Sequence, residues 1–183
     1  MYEVEMKLRA EHERLHERLE RRGANRIDAV TQRDTYYDAP TRDFAETDEA
    51  LRIRRETRDG ETRATLTYKG PLVGETSKTR EERETDLSDG DVMGSILDSL
   101  GFSAVETVEK RRERFSLEGY TVTLDTVTDL GTFVEIETEA IESDLDAARK
   151  GVGRTVESLG LDPADEIRTS YLELLIEDGH DRE

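Results

Sequence analysis

The chain contains no cysteine, which excludes a disulfide framework and any thiolate metal centre and suits a reducing compartment. Long apolar runs are missing as well. No stretch approaches the ~20 residues that span a bilayer, and the first residues lack the basic-then-apolar pattern of a secretion signal. A soluble, cytoplasmic protein without membrane partners is therefore expected. Lysine is scarce, five among 27 basic residues, and 45 acidic residues outweigh all of them to give a net charge of -18. Most of such a surface would repel a nucleic acid, which is not an expected partner. The glycine patterns that cradle nucleotides are absent too. Gly70 and Gly74 miss the spacing of a phosphate-binding loop, and Gly151 and Gly153 fall inside a helical pattern, not between a strand and a helix.

With 183 residues the chain suits one well-packed domain, residues 1–183. Acid enrichment, few lysines and a mean hydropathy of -0.80 are similar to proteins of salt-loving organisms, in which salt screens self-repulsion. Sustained apolar periodicity argues against an acidic disordered chain.

Over the first eight residues Glu3, Glu5 and Lys7 alternate with Val4, Met6 and Leu8. A strand there sends two carboxylates and an ammonium to one face and three apolar groups to the other. Residues 11–22 read as a helix ended by Gly23, with Leu15 and Leu19 as a narrow apolar stripe. His12-Glu13-Arg14-Leu15-His16 matches H-E-x-x-H, but the helix is charged almost all round and the one other histidine is His180. The match is read as accidental, and both histidines as surface residues. A strand over 26–38 ends at Asp38-Ala39-Pro40, a short helical turn is expected over 41–47, and strands 50–58 and 62–69 form a hairpin around Asp59-Gly60. Gly70 to Gly74 reads as a loop and 76–87 as a strand polar on both faces. Ser88 is the expected cap of a helix to residue 100 that buries Val92, Ile96, Leu97 and Leu100. Strands over 102–117, 120–125 and the segment after Leu130-Gly131, then helices over 143–159 and 170–176, complete the pattern.

The charged positions repeat on one face of strand after strand. Amphipathic helices need the apolar faces as cover, so the expected α+β architecture is an eight-stranded antiparallel β-barrel with helices packed outside and charged residues lining its interior. Charges at that density are tolerable when paired or when bound to ions and ligand. Sorted by sign, Glu3, Glu5, Asp125, Glu135 and Glu137 form an acidic set, and Lys7, Arg52, Arg54, Lys69, Arg80, Lys110 and Arg112 a basic one. A hard divalent cation, Mg2+ or Mn2+, suits the first and a chain of phosphates the second. The expected chemistry is phosphoryl or nucleotidyl transfer by positioning and charge neutralisation.

These residues resemble the triphosphate tunnel metalloenzymes, also called the CYTH superfamily. Glu3-Val4-Glu5-Met6-Lys7 is similar to its N-terminal E-x-E-x-K signature. Leu51-Arg52-Ile53-Arg54, Lys69-Gly70-Pro71, Arg80 to Glu84, Lys110-Arg111-Arg112, Leu124-Asp125 and Phe133 to Glu137 resemble its later motifs in order. The segment from Gln32 to Asp38 and Tyr68-Lys69-Gly70-Pro71 most resemble the class IV adenylate cyclase branch. The resemblance implies a triphosphate tunnel with metal on the acidic set and triphosphate on the basic set. It also implies a cyclase in which the 3'-hydroxyl of ATP attacks the α-phosphorus, giving 3',5'-cyclic AMP and pyrophosphate. A triphosphatase acting on inorganic, thiamine or nucleoside triphosphate uses the same charges, and a non-catalytic polyphosphate or nucleotide binder stands as the third reading. The oligomeric state is not readable from the residues, and a homodimer is compatible with them.

Overall fold

Alternating apolar and polar residues give eight strands in one antiparallel sheet, ordered β1-β8-β7-β6-β2-β3-β4-β5, and four α-helices, an α+β fold. The strands are β1 (Tyr2–Arg9), β2 (Asn25–Asp38), β3 (Ala50–Arg58), β4 (Glu61–Leu72), β5 (Arg80–Leu87), β6 (Ser103–Leu117), β7 (Tyr120–Val127) and β8 (Gly131–Ala140). The helices are α1 (His12–Arg21), α2 (Gly90–Ser99), α3 (Leu145–Ser158) and α4 (Tyr171–His180). The computed structural model describes residues 2–72 and 80–180, with the backbone alone at Leu72, Arg80, Gly179 and His180. Two compact units divide the chain, the first Met1–Ala29 with Arg111–Tyr171, the second Val30–Lys110 with Leu172–Glu183.

In the first unit β1 pairs with β8 and β8 with β7, bringing Glu5 opposite Glu137 and Lys7 opposite Glu135. Because strand side chains alternate, this register turns Val4, Leu8, Val122, Leu124, Val134 and Ile136 to the other face. There they pack with Phe115 and Leu117 against Leu15 and Leu19 of α1 and against Val152, Val156 and Leu159 of α3 and its end. The core therefore fixes which way every carboxylate points. A one-residue slip would bury the charges and expose the valines.

In the second unit Asp59 and Gly60, with φ of 50° and 86°, form the two-residue turn joining β3 to β4. Left-handed backbone at both positions matches the twist of the flanking strands, and Asp-Gly suits it. The β2–β3 register sets Gln32 opposite Glu56, Asp34 opposite Arg54 and Tyr36 opposite Arg52. Beyond them Thr67 of β4 faces Arg52, and Lys69 faces Glu82 of β5.

Several expectations are corrected here. Helix α2 does bury Leu97, but Val92, Ile96 and Leu100 are exposed. The helix lies on β3 and β4 through the face that carries Gly90, Gly94 and Leu97. A Cβ at Gly90 would stand 3.0 Å from Ala64 Cβ, and one at Gly94 would stand 3.2 Å from the Tyr37 hydroxyl. Close backbone approach selects the glycine face and leaves the larger residues outside. The α2 cap is Asp89, not Ser88, since the Asp89 carboxylate accepts from the backbone N–H groups of Asp91 and Val92. Residues 41–47 form turns and no helix, held by Asp43 accepting from Ala45 N and Glu46 N. β4 runs on to Leu72 and takes in the Gly70-Pro71 expected as loop. The expected loop and strand positions at 73–79 lie outside the described residues. His12 is half-buried and hydrogen-bonded to the Phe133 carbonyl at 2.9 Å, whereas His16 is exposed.

Candidate functional site

In the first unit the register of β1 with β8 stacks Glu3, Glu5 and Glu137 on the polar face. One carboxylate oxygen from each lies within 4.8 Å of the others. They are the one group of three or more potential ligands among the described residues. Repulsion and burial leave a mark on Glu137. Burial first, then the charge of Glu3, push its carboxyl up to about 7, with Arg112 opposing and Glu5 and Glu135 adding to the rise. A carboxyl reluctant to ionise beside two others is the electrostatic signature of a site suited to a cation. All-oxygen donors suit a hard divalent ion such as Mg2+ or Mn2+.

Asp125 and Glu135 are organised differently. Arg112 donates from Nε and Nη2 to the two Asp125 oxygens at 2.8 and 2.6 Å, and again from Nη2 to Glu135 at 2.6 Å. Tyr171 adds a 3.0 Å hydrogen bond to Asp125 from the first turn of α4. Asp125 is completely buried. Burial alone would lower the Arg112 pKa, but Glu135 and Asp125 outweigh it and hold the guanidinium firmly charged. Burial and the same two carboxylates push the Tyr171 phenol far up, so it acts as a donor. Lys7 donates to the Thr169 carbonyl at 2.6 Å, and its ammonium lies 4.4 Å from the Tyr171 ring centroid. The Lys7 carbonyl accepts from Ile167 N at 2.7 Å, so the segment before α4 is strapped to β1.

In the second unit three cations converge on one carboxylate. Arg54 grips Asp34 through Nε and Nη2 at 2.7 Å each, and Arg52 and Lys110 stand 3.6 Å from the same carboxylate. Asp34 is 0% exposed and Arg52 8%. Burial alone would raise the Asp34 pKa, but the hydrogen bonds and charge of Arg54, with Lys110 and Arg52, hold it well below the usual carboxylate range. Lys69 lies 3.1 Å from Glu82, which is also 3.9 Å from Arg52. The Arg80 side chain lies outside the described residues.

The structure thus groups Glu3 with Glu5 and Glu137, Arg112 with Asp125 and Glu135, and Arg52, Arg54 and Lys110 around Asp34. Asp34 and Tyr171 were not singled out as site residues in the sequence. Asp34 carried a readable signal, since it alternates with Gln32 and Tyr36 on one face of a strand. Tyr171 carried none, because its partner is 46 residues away.

The CYTH domain model matches residues 1–171. The chain is 38% identical over 176 residues to Putative adenylate cyclase MJ0240 of Methanocaldococcus jannaschii, covering 95% of this chain and 98% of that protein. Among solved structures, the PH1819 protein of Pyrococcus horikoshii is 40% identical with a TM-score of 0.88, covering 97% of this chain and 99% of that one. The Putative adenylyl cyclase HpAC1 from Hippeastrum, described as having a dominant triphosphatase activity, shares the fold. Its TM-score is 0.70 at 20% identity, with 97% of this chain and 96% of that one covered.

Proposed function

The chain belongs to the CYTH domain family, and from that premise we propose that it is a metal-dependent triphosphate-processing enzyme, an adenylate cyclase of the class IV type. The observation that carries this reading is the convergence of Arg52, Arg54 and Lys110 on the buried Asp34. Three basic side chains gathered at one site suit a polyanion, and Arg side chains bind phosphate oxygens bidentately. In this reading Lys7, Arg52, Arg54, Lys69, Arg80, Lys110 and Arg112 hold and orient the triphosphate. Glu3, Glu5 and Glu137 hold Mg2+ or Mn2+, with Asp125 and Glu135 completing the acidic set. The cation, when bound, supplies neutralisation of charge on phosphate oxygens. The basic side chains keep the α-phosphorus in line with the 3'-hydroxyl as pyrophosphate leaves.

A triphosphatase is the second reading, favoured by the activity described for the Hippeastrum protein of the same fold. The name of the Methanocaldococcus relative, 38% identical, favours the cyclase. The test offers ATP, inorganic triphosphate and thiamine triphosphate with Mg2+ or Mn2+ at high salt and identifies the products. Cyclic AMP with pyrophosphate upholds the cyclase. Orthophosphate release replaces it with the triphosphatase, and binding without turnover removes the enzyme reading altogether.

A further inference from the structure

Two buried side-chain polar atoms of the described residues have no hydrogen-bond partner, Gln32 Oε1 and Arg52 Nε. Native folds leave few such atoms, because each costs stability. The two are of opposite kind, an acceptor and a donor. The identity of the Gln32 atom follows from chemistry: its amide nitrogen donates to Glu56 Oε2 at 2.6 Å, and a carboxylate can only accept, so the oxygen is the atom left over. Gln32 is 1% exposed.

Both side chains belong to the polar face of β2 and β3. Gln32, Asp34 and Tyr36 follow at alternate positions on β2, and Arg52 is the cross-strand partner of Tyr36. The Arg54–Asp34 pair lies between the two atoms, with Lys110 on the same carboxylate. Four residues of strand separate the Gln32 and Tyr36 positions, ~13 Å along the sheet. A ligand that satisfies both ends must present an acceptor at one, for which an anion is the stronger choice beside a guanidinium, and an N–H or O–H donor at the other. Fully ionised inorganic triphosphate, all acceptor oxygens, cannot do this. A nucleoside triphosphate can, through a ribose hydroxyl or an exocyclic amine.

We propose that Gln32 is a specificity-determining residue whose Oε1 accepts a hydrogen bond from the organic group of an organic triphosphate, while Arg52 Nε donates to its phosphate. Glu56 is a positioning residue that holds the amide with its oxygen toward the ligand. The assignment rests on the triphosphate reading above and sharpens it, since a site built around a hydrogen bond rejects ligands that lack the partner.

Isothermal titration with Mg2+ at high salt tests it, using wild type, Gln32→Leu and Glu56→Gln against ATP, 2'-deoxy-ATP, ITP and tripolyphosphate. Gln32→Leu is expected to weaken ATP about tenfold more than it weakens tripolyphosphate. Glu56→Gln should shift the same ratio by less, because the amide can then turn over. A wild-type preference for ATP over ITP assigns the donor to the base amine, and a preference over 2'-deoxy-ATP assigns it to the ribose. Equal weakening of ATP and tripolyphosphate by Gln32→Leu overturns the proposal in favour of a structural glutamine, and no weakening of either overturns it in favour of solvent on Oε1. If Gln32→Leu does not fold, the wild-type panel extended with 3'-deoxy-ATP decides: equal affinity for ATP, ITP, 2'-deoxy-ATP and 3'-deoxy-ATP overturns the proposal. Wild type binding neither ATP nor tripolyphosphate overturns the triphosphate reading itself, a result distinct from all of these.

Discussion

Arg54 and Asp34 face each other across β3 and β2, with two guanidinium nitrogens each 2.7 Å from a different carboxylate oxygen. The pair is a fork-to-fork contact, and Arg52 and Lys110 each stand 3.6 Å from Asp34 Oδ2. One buried aspartate is therefore shared by three basic side chains.

Asp34→Asn keeps the shape and removes the charge, so the half-buried guanidinium of Arg54 loses a bidentate anionic partner and Arg52 and Lys110 lose a shared one. A loss of about 3–5 kcal/mol is expected, read by urea denaturation at pH 7. Saturating tripolyphosphate should stabilise the variant more than it stabilises wild type, because the polyanion replaces the missing charge. The sign with pH follows from a folded-state pKa held below the ordinary value. The Asp34 contribution is present above the ordinary aspartate range and is lost as pH falls through it and below. Wild type and Asp34→Asn should converge in stability on acidification, and parallel curves would contradict the assignment.

Much of this arrangement could be read from alternation alone. The opening Glu3, Glu5 and Lys7 and the later Glu135 and Glu137 had to share a face once Val4, Leu8, Val134 and Ile136 shared the other, because strand side chains have a period of two. What alternation does not carry is pairing across strands. Nothing local says that Arg112 meets Asp125, 13 residues on, or that Tyr171 reaches it from 46 residues away. Helical periodicity was less informative at α2, where the Val92, Ile96 and Leu100 stripe competes with a Gly90, Gly94 and Leu97 stripe. The smaller one won because close backbone contact with β3 and β4 was available to it.

The cap of α2 separates two adjacent residues cleanly. Asp89 accepts from Asp91 N and Val92 N at 2.8 and 3.0 Å, and those two N–H groups together hold its carboxyl below the usual range. Asp89→Ala should lower the melting temperature clearly, whereas Ser88→Ala should leave it almost unchanged. Thermal melts of the two variants check this, and a larger effect at Ser88 would return the cap to the residue first expected from the sequence.

Tyr171→Phe removes the 3.0 Å hydrogen bond to the buried Asp125 while keeping the ring against Phe133, whose centroid is 5.0 Å away. The expected cost is about 0.5–1.5 kcal/mol, with Arg112 still holding both Asp125 oxygens. Arg112→Met should cost several-fold more, since it removes a charged partner shared by two buried carboxylates. Denaturation curves showing equal losses would mean that Arg112 and Tyr171 contribute alike to holding Asp125.

A net charge of -18 over 183 residues predicts self-repulsion that salt relieves. Thermal stability followed by circular dichroism should rise from dilute buffer to molar KCl. A melting temperature independent of salt would remove the link between composition and a salt-rich environment.

Glu137 ties stability to the candidate cation site. Its folded-state carboxyl is raised from 4.5 to about 7, first by burial and then by Glu3. The sign is opposite to that of Asp34: the contribution is complete below the ordinary glutamate range and is lost as pH rises through about 7. In the presence of a chelator, wild type should lose roughly 1–3 kcal/mol relative to Glu137→Gln between pH 4.5 and 7.5. Mn2+ should reverse that loss, because three carboxylate oxygens within 4.8 Å repel one another less with a cation among them. Its affinity should climb over the same interval as the Glu137 proton becomes easier to displace. Subtracting the Glu137→Gln curve removes the general acidity of the surface from the comparison. A wild-type minus variant difference that stays flat with pH, or that Mn2+ leaves unchanged, would separate Glu137 from Glu3 and Glu5 as a ligand group.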